Sequence, residues 1–295
     1  MISDASLSMK ITGSTRLAGI MGWPVAHSRS PLLHGFWLTE TGVDGAYVPL
    51  PVRPEHLADA LRALPLLGFR GCNLTIPHKQ AALSVVDRVE SSARRIGAIN
   101  TVVVDAEGKL EGRNTDVFGF RENLQEVVPD WRPTDGAAVI LGAGGSARAV
   151  VAALTDAGVA EIRIVNRTLP RAEAVARDLA TPLTRITIHS WNEATALQED
   201  AGLLVNTTSL GMSGEPPLVL DLSRLPTATP VVDIVYVPLE TALLAAARRR
   251  GHPVVDGLGM LLHQGRPGFE DWFGASVNVT PELREAIVAS LGVQR

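Results

Sequence analysis

Short apolar runs recur along the chain at 16–21, 46–50, 71–76, 97–104, 137–141, 161–165, 184–188, 202–206 and 231–236, most bounded by Gly, Pro, Asn or Asp. Runs of this length with such borders read as buried strands. Between them lie amphipathic stretches expected as helices at 31–41, 54–64, 77–86, 117–128, 147–154 and 241–250. A further apolar run at 254–260 ends the alternation, and the remainder reads as mostly helical. Residues 109–112 return after a Glu107-Gly108 turn as the second arm of a hairpin, and 1–15 are polar and expected to fray. Strands alternating with helices are the pattern of an α/β protein.

One passage organises the rest. The run 137–141 reaches Gly142-Ala143-Gly144-Gly145-Ser146-Ala147 and passes directly into an Ala/Val-rich helix pattern. The chain therefore reads strand, Gly-rich turn, helix. The spacing Gly142-x-Gly144-x-x-Ala147 is a dinucleotide fingerprint with Ala in the third place. The first position allows the tight turn, the second lets the backbone approach a pyrophosphate, and the third lets helix and strand pack closely. Similar turns also occur where nothing binds and in nucleotide-binding methyltransferases, so context decides. About 20 residues on, the run 161–165 ends in Asn166-Arg167-Thr168. An NAD site would place Asp or Glu there for the ribose 2′-hydroxyl. Arg167 and Thr168 instead suit a 2′-phosphate, which points to NADP.

Composition bounds the remaining options. The 295 residues carry a net charge of −4 from 27 basic and 31 acidic side chains, without a basic stripe for nucleic acid. A single cysteine, Cys72, excludes an intramolecular disulfide framework and suits the cytoplasm. No apolar run approaches the roughly 18 residues that span a bilayer, and 17–26 is too broken by Gly and Pro for a signal peptide. Oligomeric state is not legible, and a homodimer stays open.

Several polar residues stand where a site would be built. Ser28 and Ser30, before Pro31, can offer two hydroxyls to one anion, or Ser30 can simply cap a helix. Lys79 falls in the expected first turn of a helix, against the dipole, a mismatch that favours a functional role. His78 beside it reads as a structural residue, and Asp116 stands before a helix, where an Asp is commonly an N-cap.

Taken together the motifs resemble the shikimate dehydrogenase family over nearly the whole chain. They are Ser28-Arg29-Ser30-Pro31 with His34, Asn73-Leu74-Thr75-Ile76-Pro77-His78-Lys79, Gly97 to Thr101, and Asn114-Thr115-Asp116 with Gly119. The Gly-rich turn, Asn166-Arg167-Thr168, Asn206-Thr207-Thr208-Ser209, Asp233 with Tyr236 and Pro238, and Gly257 to Gly265 complete the series. Gly35 departs from the family, which often has Asn there, and puts the local start of the helix in doubt.

The resemblance implies an N-terminal α/β substrate domain plus a Rossmann-type NADP-binding domain, with the C-terminal helices packing back on the substrate domain. The expected boundaries are 1–112 and 248–295 for the substrate domain and 113–247 for the nucleotide domain. It implies reversible hydride transfer between NADPH and the C3 carbonyl of 3-dehydroshikimate, with Lys79 and Asp116 as the catalytic pair and no metal. Ser28 and Ser30 would hold the ring carboxylate. Thr75, Asn100, Asp116 and Gln264 would read the ring hydroxyls, with Tyr236 nearby. The cofactor would meet Gly142, Ala143, Gly144, Gly145, Ser146, Ala147, Asn166, Arg167, Thr168, Thr207 and Ser209, with Gly257 and Met260 against its nicotinamide. Two other readings stay open: an NAD-dependent quinate/shikimate dehydrogenase of the same fold, and a nucleotide-sensing protein without turnover.

Overall fold

The computed structural model describes residues 11–292; residues 1–10, most of the segment expected to fray, lie outside the described residues. The chain divides into two compact units. The first holds the described residues up to Arg94, Ala98–Thr115 and Gly265–Ile287; the second holds Arg95–Gly97, Asp116–Gln264 and the following described residues from Val288.

The first unit is built from β1 (Arg16–Gly22), α1 (Ser30–Thr41), β2 (Gly45–Pro51), α2 (Leu57–Leu66), β3 (Phe69–Leu74), α3 (His78–Ala81) and β4 (Arg88–Val89), followed by the start of α4 (Ser91–Ile96), β5 (Thr101–Val104) and β6 (Leu110–Arg113). Its sheet has the order β2-β1-β3-β5-β6-β4. β1 runs parallel to both β2 and β3, with Met21 opposite Leu74. β5 is antiparallel to β3 and to β6, so Asn73 faces Thr101 and Thr101 faces Arg113. This register brings the ends of β1, β3 and β6 and the start of β5 to one edge of the sheet. Beneath it, Leu61, Cys72, Leu74, Ile99 and Val102 form a buried core. Burial pushes the Cys72 thiol pKa up, so Cys72 packs as a small apolar residue.

The second unit begins with α5 (Asp116–Val127). It continues through β7 (Ala137–Leu141), α6 (Gly145–Ala157), β8 (Glu161–Val165), α7 (Leu169–Leu179), β9 (Arg185–His189), β10 (Ala201–Asn206), β11 (Val231–Asp233), α8 (Ala242–Arg249) and β12 (Val254–Val255). Its sheet has the order β12-β11-β10-β7-β8-β9, and every pairing is parallel. Numbered from β7, this is the 3-2-1-4-5-6 order of the doubly wound dinucleotide fold, whose order reverses between β7 and β10. β7 is buried at all five positions, as a strand covered on both faces must be.

The last helices are α9 (Gly257–Phe273) and α10 (Pro281–Leu291). Within the first unit, a Cβ at Gly265 would stand 2.9 Å from Leu33 and 3.1 Å from Trp37, so this turn of α9 lies directly on α1. The Trp272 indole donates to the Val102 carbonyl at 3.0 Å, and Gly71, at φ +147°, leaves the room it needs. The Trp37 indole donates to the Asn278 carbonyl at 3.0 Å. Buried aromatics of this kind are commonly worth about 3–5 kcal/mol each against alanine. They fasten α9 from Gly265 onward, and the segment after it, to the first unit.

Three expectations change. The helix anticipated over 77–86 is α-helical only from His78 to Ala81, then tightens into a 3-10 turn at Ala82–Ser84. Asp87 ends it: its N–H donates to the Leu110 carbonyl at 2.9 Å and its carboxylate accepts from the Leu110 N–H at 2.8 Å, recruiting 88–89 into the sheet. The compact units divide at 115/116 and 264/265, later than 112/113 and 247/248. Third, residues 95–97 join the second unit, because the Arg148 guanidinium donates to the Ile96 carbonyl and Arg95 pairs with Asp156 at 2.6 Å. Helix α1 runs unbroken through Gly35, where a Cβ would meet nothing within 4 Å. Among the described residues, no helix is long and apolar enough to cross a membrane.

Candidate functional site

In the first unit the polar candidates gather at the sheet edge that the register creates. Ser28 lies on the loop after β1 and Ser30 opens α1; Thr75 lies on the loop after β3 and Lys79 in α3. A Cβ at Gly22 would overlap the Thr75 side chain, and Trp23 N–H donates to the Ile76 carbonyl at 3.1 Å, so the two loops lie together. Ser30 is the first residue of α1, after Arg29 at the cap position; no side chain caps this helix. The Ser28 hydroxyl accepts from the Ser30 N–H at 3.3 Å, which directs its own proton elsewhere. Ser30 is buried, Ser28 half-buried.

Lys79 is half-buried, and its carbonyl accepts from the Ile99 N–H at 2.7 Å, placing α3 against the strand that follows. The short α3 weakens the dipole argument for Lys79, leaving its place at this edge as the stronger observation. His78 is buried with Nε2 at 2.8 Å from the Val52 carbonyl, a structural contact. Asn100 is buried, and its Oδ1 accepts from the Thr115 N–H at 2.8 Å and the Thr101 hydroxyl at 2.9 Å.

In the second unit, the Gly-rich turn lies where the strand order reverses. Gly142 has φ +108°, and a Cβ there would stand 2.7 Å from Thr207 Oγ1. Thr207 donates to the Leu141 carbonyl through its N–H at 2.9 Å and its hydroxyl at 2.7 Å, locking the ends of β7 and β10 together. Gly144 is extended, with φ −87° and ψ −170°, and precedes the first turn of α6. At Gly144 and at Gly145 a Cβ would meet nothing within 4 Å. Ala147 is fully buried, while Ala143 and Ser146 are half-buried.

At the end of β8 the Asn166 amide donates to the Thr168 carbonyl at 2.7 Å, shaping a loop on which Arg167 and Thr168 are exposed. Ser209 is exposed on the loop after β10. These residues fit a dinucleotide phosphate. The loop offers open space where glycines replace side chains, a helix N-terminus, and an exposed guanidinium in place of a carboxylate.

The other candidates of this unit lie at the start of α5, after β11 and on the first part of α9. Asp116 opens α5 and is 2% exposed. A Cβ at Gly119 would stand 2.6 Å from the Met260 carbonyl and 2.8 Å from Gln264 Cβ, so α5 and α9 touch at backbone distance. Gly257 packs on the Ile234 carbonyl at the end of β11, two residues before Tyr236. Asp233, fully buried, accepts from Asn206 Nδ2 at 2.9 Å, the Thr241 hydroxyl at 2.7 Å and the Val235 N–H at 3.0 Å. Burial nevertheless outweighs these donors and pushes its pKa up to about 6.

Sequence reasoning passed over four residues. Tyr47 donates to Asn73 Oδ1 at 2.6 Å beneath the polar edge. Its signal was that a tyrosine in a buried strand needs a partner for its hydroxyl. Thr101 and Thr115 hold Asn100 and were read only as motif letters. Arg148, a cation inside an Ala/Val helix, donates to Asp178 at 2.9 Å as well as to Ile96.

A mixed sheet with a polar edge, joined in one chain to a doubly wound sheet with an NADP-type turn, defines a two-domain α/β oxidoreductase. Residues 20–102 match the family model described as the shikimate dehydrogenase substrate binding domain, and 125–211 match that described as shikimate / quinate 5-dehydrogenase. A shikimate dehydrogenase (NADP+) of Paramagnetospirillum magneticum is 57% identical over 279 residues, 95% of this chain and 100% of that protein. Among solved structures, a shikimate dehydrogenase in complex with NADP+ superposes with a TM-score of 0.89 at 33% identity, covering 97% of this chain and 99% of the other. A quinate dehydrogenase from Corynebacterium glutamicum in complex with NAD gives 0.86 at 33% identity, covering 93% and 99%. The chain belongs to the shikimate dehydrogenase family.

Proposed function

We propose that this chain catalyses the reversible NADP(H)-dependent reduction of 3-dehydroshikimate to shikimate, a step of aromatic amino-acid biosynthesis, in the cytoplasm. The observation that carries this reading is the gathering of Ser28, Ser30, Thr75, Lys79 and Asn100 at one edge of the first sheet. Bound NADPH supplies the hydride. Gly142 to Ala147 would cradle its pyrophosphate and Asn166, Arg167 and Thr168 its 2′-phosphate; Thr207 and Ser209 would also meet the cofactor, and Gly257 and Met260 would lie against its nicotinamide.

The chain's own groups do the rest. The Ser28 and Ser30 hydroxyls hold the ring carboxylate. Asn100, Asp116, Thr75 and Gln264 read the ring hydroxyls, with Tyr236 beside the substrate, a stringent form of selection because an absent hydroxyl leaves a buried partner unpaired. Lys79 stabilises the negative charge developing on the C3 oxygen and delivers its proton, and Asp116 is the second member of the catalytic pair. The partners are small molecules, without nucleic acid or membrane, and the chain works alone or as a homodimer. Substituting Lys79→Ala should lower kcat by roughly 10²–10⁴ with the shikimate Kd little changed. Near-normal turnover would remove Lys79 from this role.

A further inference from the structure

Beneath the polar edge of the first unit lies a buried set of rings and amides that the proposed reaction does not use. The His34 ring stacks flat on that of Tyr47, with centroids 3.9 Å apart and an interplanar angle of 8°. Trp37 meets His34 edge-on at 5.6 Å, and Phe269 and Trp272 close the other sides. His34 is fully buried, and burial pushes its pKa down to about 3, so the imidazole is neutral and serves as a platform. Tyr47 is therefore held by its ring, and its hydroxyl faces Asn73, with the Ser30 side chain as a second polar neighbour.

The hydrogen bonds that follow run one way. Asn73 Nδ2 faces the Asn100 carbonyl at 3.1 Å, a group that can only accept, which fixes the amide. Its Oδ1 must then face Tyr47, and the Tyr47 hydroxyl must donate, at 2.6 Å. Asn73 Nδ2 also donates to Thr101 Oγ1 at 3.2 Å, so the Thr101 proton passes to Asn100 Oδ1 at 2.9 Å. The same Oδ1 takes the Thr115 N–H. Asn100 is thus held through Asn73 at two points, at its carbonyl directly and at its amide oxygen by way of Thr101, beside a separate hold by Thr115, which gives its N–H to the amide oxygen and accepts from Nδ2 at 3.0 Å.

We propose that Tyr47 is a positioning residue for substrate recognition, acting through Asn73 and Thr101 to hold Asn100. The inference rests on the reading of Asn100 as a group that touches the substrate. Without the phenol, the buried Asn73 Oδ1 loses its donor, Asn73 shifts to recover one, and Asn100 loosens.

The test is a cycle of Tyr47→Phe and Asn100→Ala, with shikimate KM, kcat, NADP KM and thermal midpoint measured for each. Tyr47→Phe keeps the ring stack and removes one neutral hydrogen bond. It should raise shikimate KM by about three- to tenfold, with kcat within about twofold and NADP KM unchanged. In the Asn100→Ala background it should add less than about twofold. A merely structural role for Tyr47 would lower the midpoint without this KM-against-kcat split, and would overturn the proposal. So would an unchanged KM in Tyr47→Phe while Asn100→Ala raises it, an outcome that leaves the proposed function standing. An unchanged KM in Asn100→Ala would remove both the substrate role of Asn100 and the chain of bonds that serves it. Should Tyr47→Phe not fold, Thr101→Val cuts the middle link and should raise KM, whereas Thr101→Ser keeps the hydroxyl and should restore it; equal KM in the two would overturn the proposal.

Discussion

The two glycines of the nucleotide turn should respond to the same substitution in opposite ways. At Gly142 the backbone has φ +108°, and a Cβ would sit 2.7 Å from Thr207 Oγ1, whose hydroxyl ties β10 to the Leu141 carbonyl. Gly142→Ala therefore carries a conformational cost of about 1–3 kcal/mol, and loss of the Thr207 bond adds roughly 0.5–1.5 kcal/mol. The sum, about 1.5–4.5 kcal/mol, lowers the thermal midpoint by several degrees at roughly 2–4 °C per kcal/mol. At Gly144 the backbone is extended, with φ −87°, and the added methyl has open space. Nothing inside the chain explains a glycine there. Gly144→Ala should leave the midpoint unchanged or slightly raised and act only on the ligand. A methyl where a pyrophosphate meets the backbone commonly costs about 1–3 kcal/mol, or roughly 5- to 150-fold in Kd. Thermal denaturation followed by circular dichroism, with calorimetric titration of NADP, separates the two effects. Unchanged NADP affinity in Gly144→Ala would mean that the pyrophosphate does not meet this turn. A midpoint loss there equal to that of Gly142→Ala would refute the steric reasoning itself.

The remaining predictions concern charge. Arg167, exposed after β8 with no carboxylate in its place, should set the cofactor preference. Arg167→Asp should lower kcat/KM with NADP by at least about tenfold, the scale of one charge-assisted hydrogen bond, and turn preference toward NAD. An unchanged ratio would mean that another group reads the 2′-phosphate. Asp233, whose pKa is raised from 3.8 to about 6, favours the folded state in its protonated form. That contribution is fully present below about pH 4 and is lost as pH rises through about 6. The stability of the parent relative to Asp233→Asn, measured by urea unfolding, should fall by about 3 kcal/mol across this window. A difference independent of pH would show that burial does not shift Asp233.

The strand, turn and helix around Gly142 were legible because each element announces itself. A five-residue run buried on both faces is continuously apolar, a glycine marks the turn, and Ala147 marks the close packing. The parallel order of the second sheet followed from strands alternating with helices. Elements fixed by partners distant in sequence were not legible. β4 is two residues long and exists because β6 pairs with it, and α3 stops where Asp87 is drawn to Leu110. The boundary at 264/265 depends on Gly119 admitting α9 at backbone distance, a contact that no local pattern contains. The candidate site was read residue by residue from polar groups in motif spacing. Its support was not: Tyr47 and Asn73 meet only through the pairing of β1 with both β2 and β3.

The central claim is the reaction, and the most direct test is initial-rate absorbance at 340 nm with shikimate and with quinate, each against NADP and NAD. The account predicts turnover of shikimate dominated by NADP. Turnover of quinate dominated by NAD would contradict it and place the chain with the quinate enzymes of the same fold, and NADPH binding without turnover of either acid would leave a nucleotide sensor in place of an enzyme.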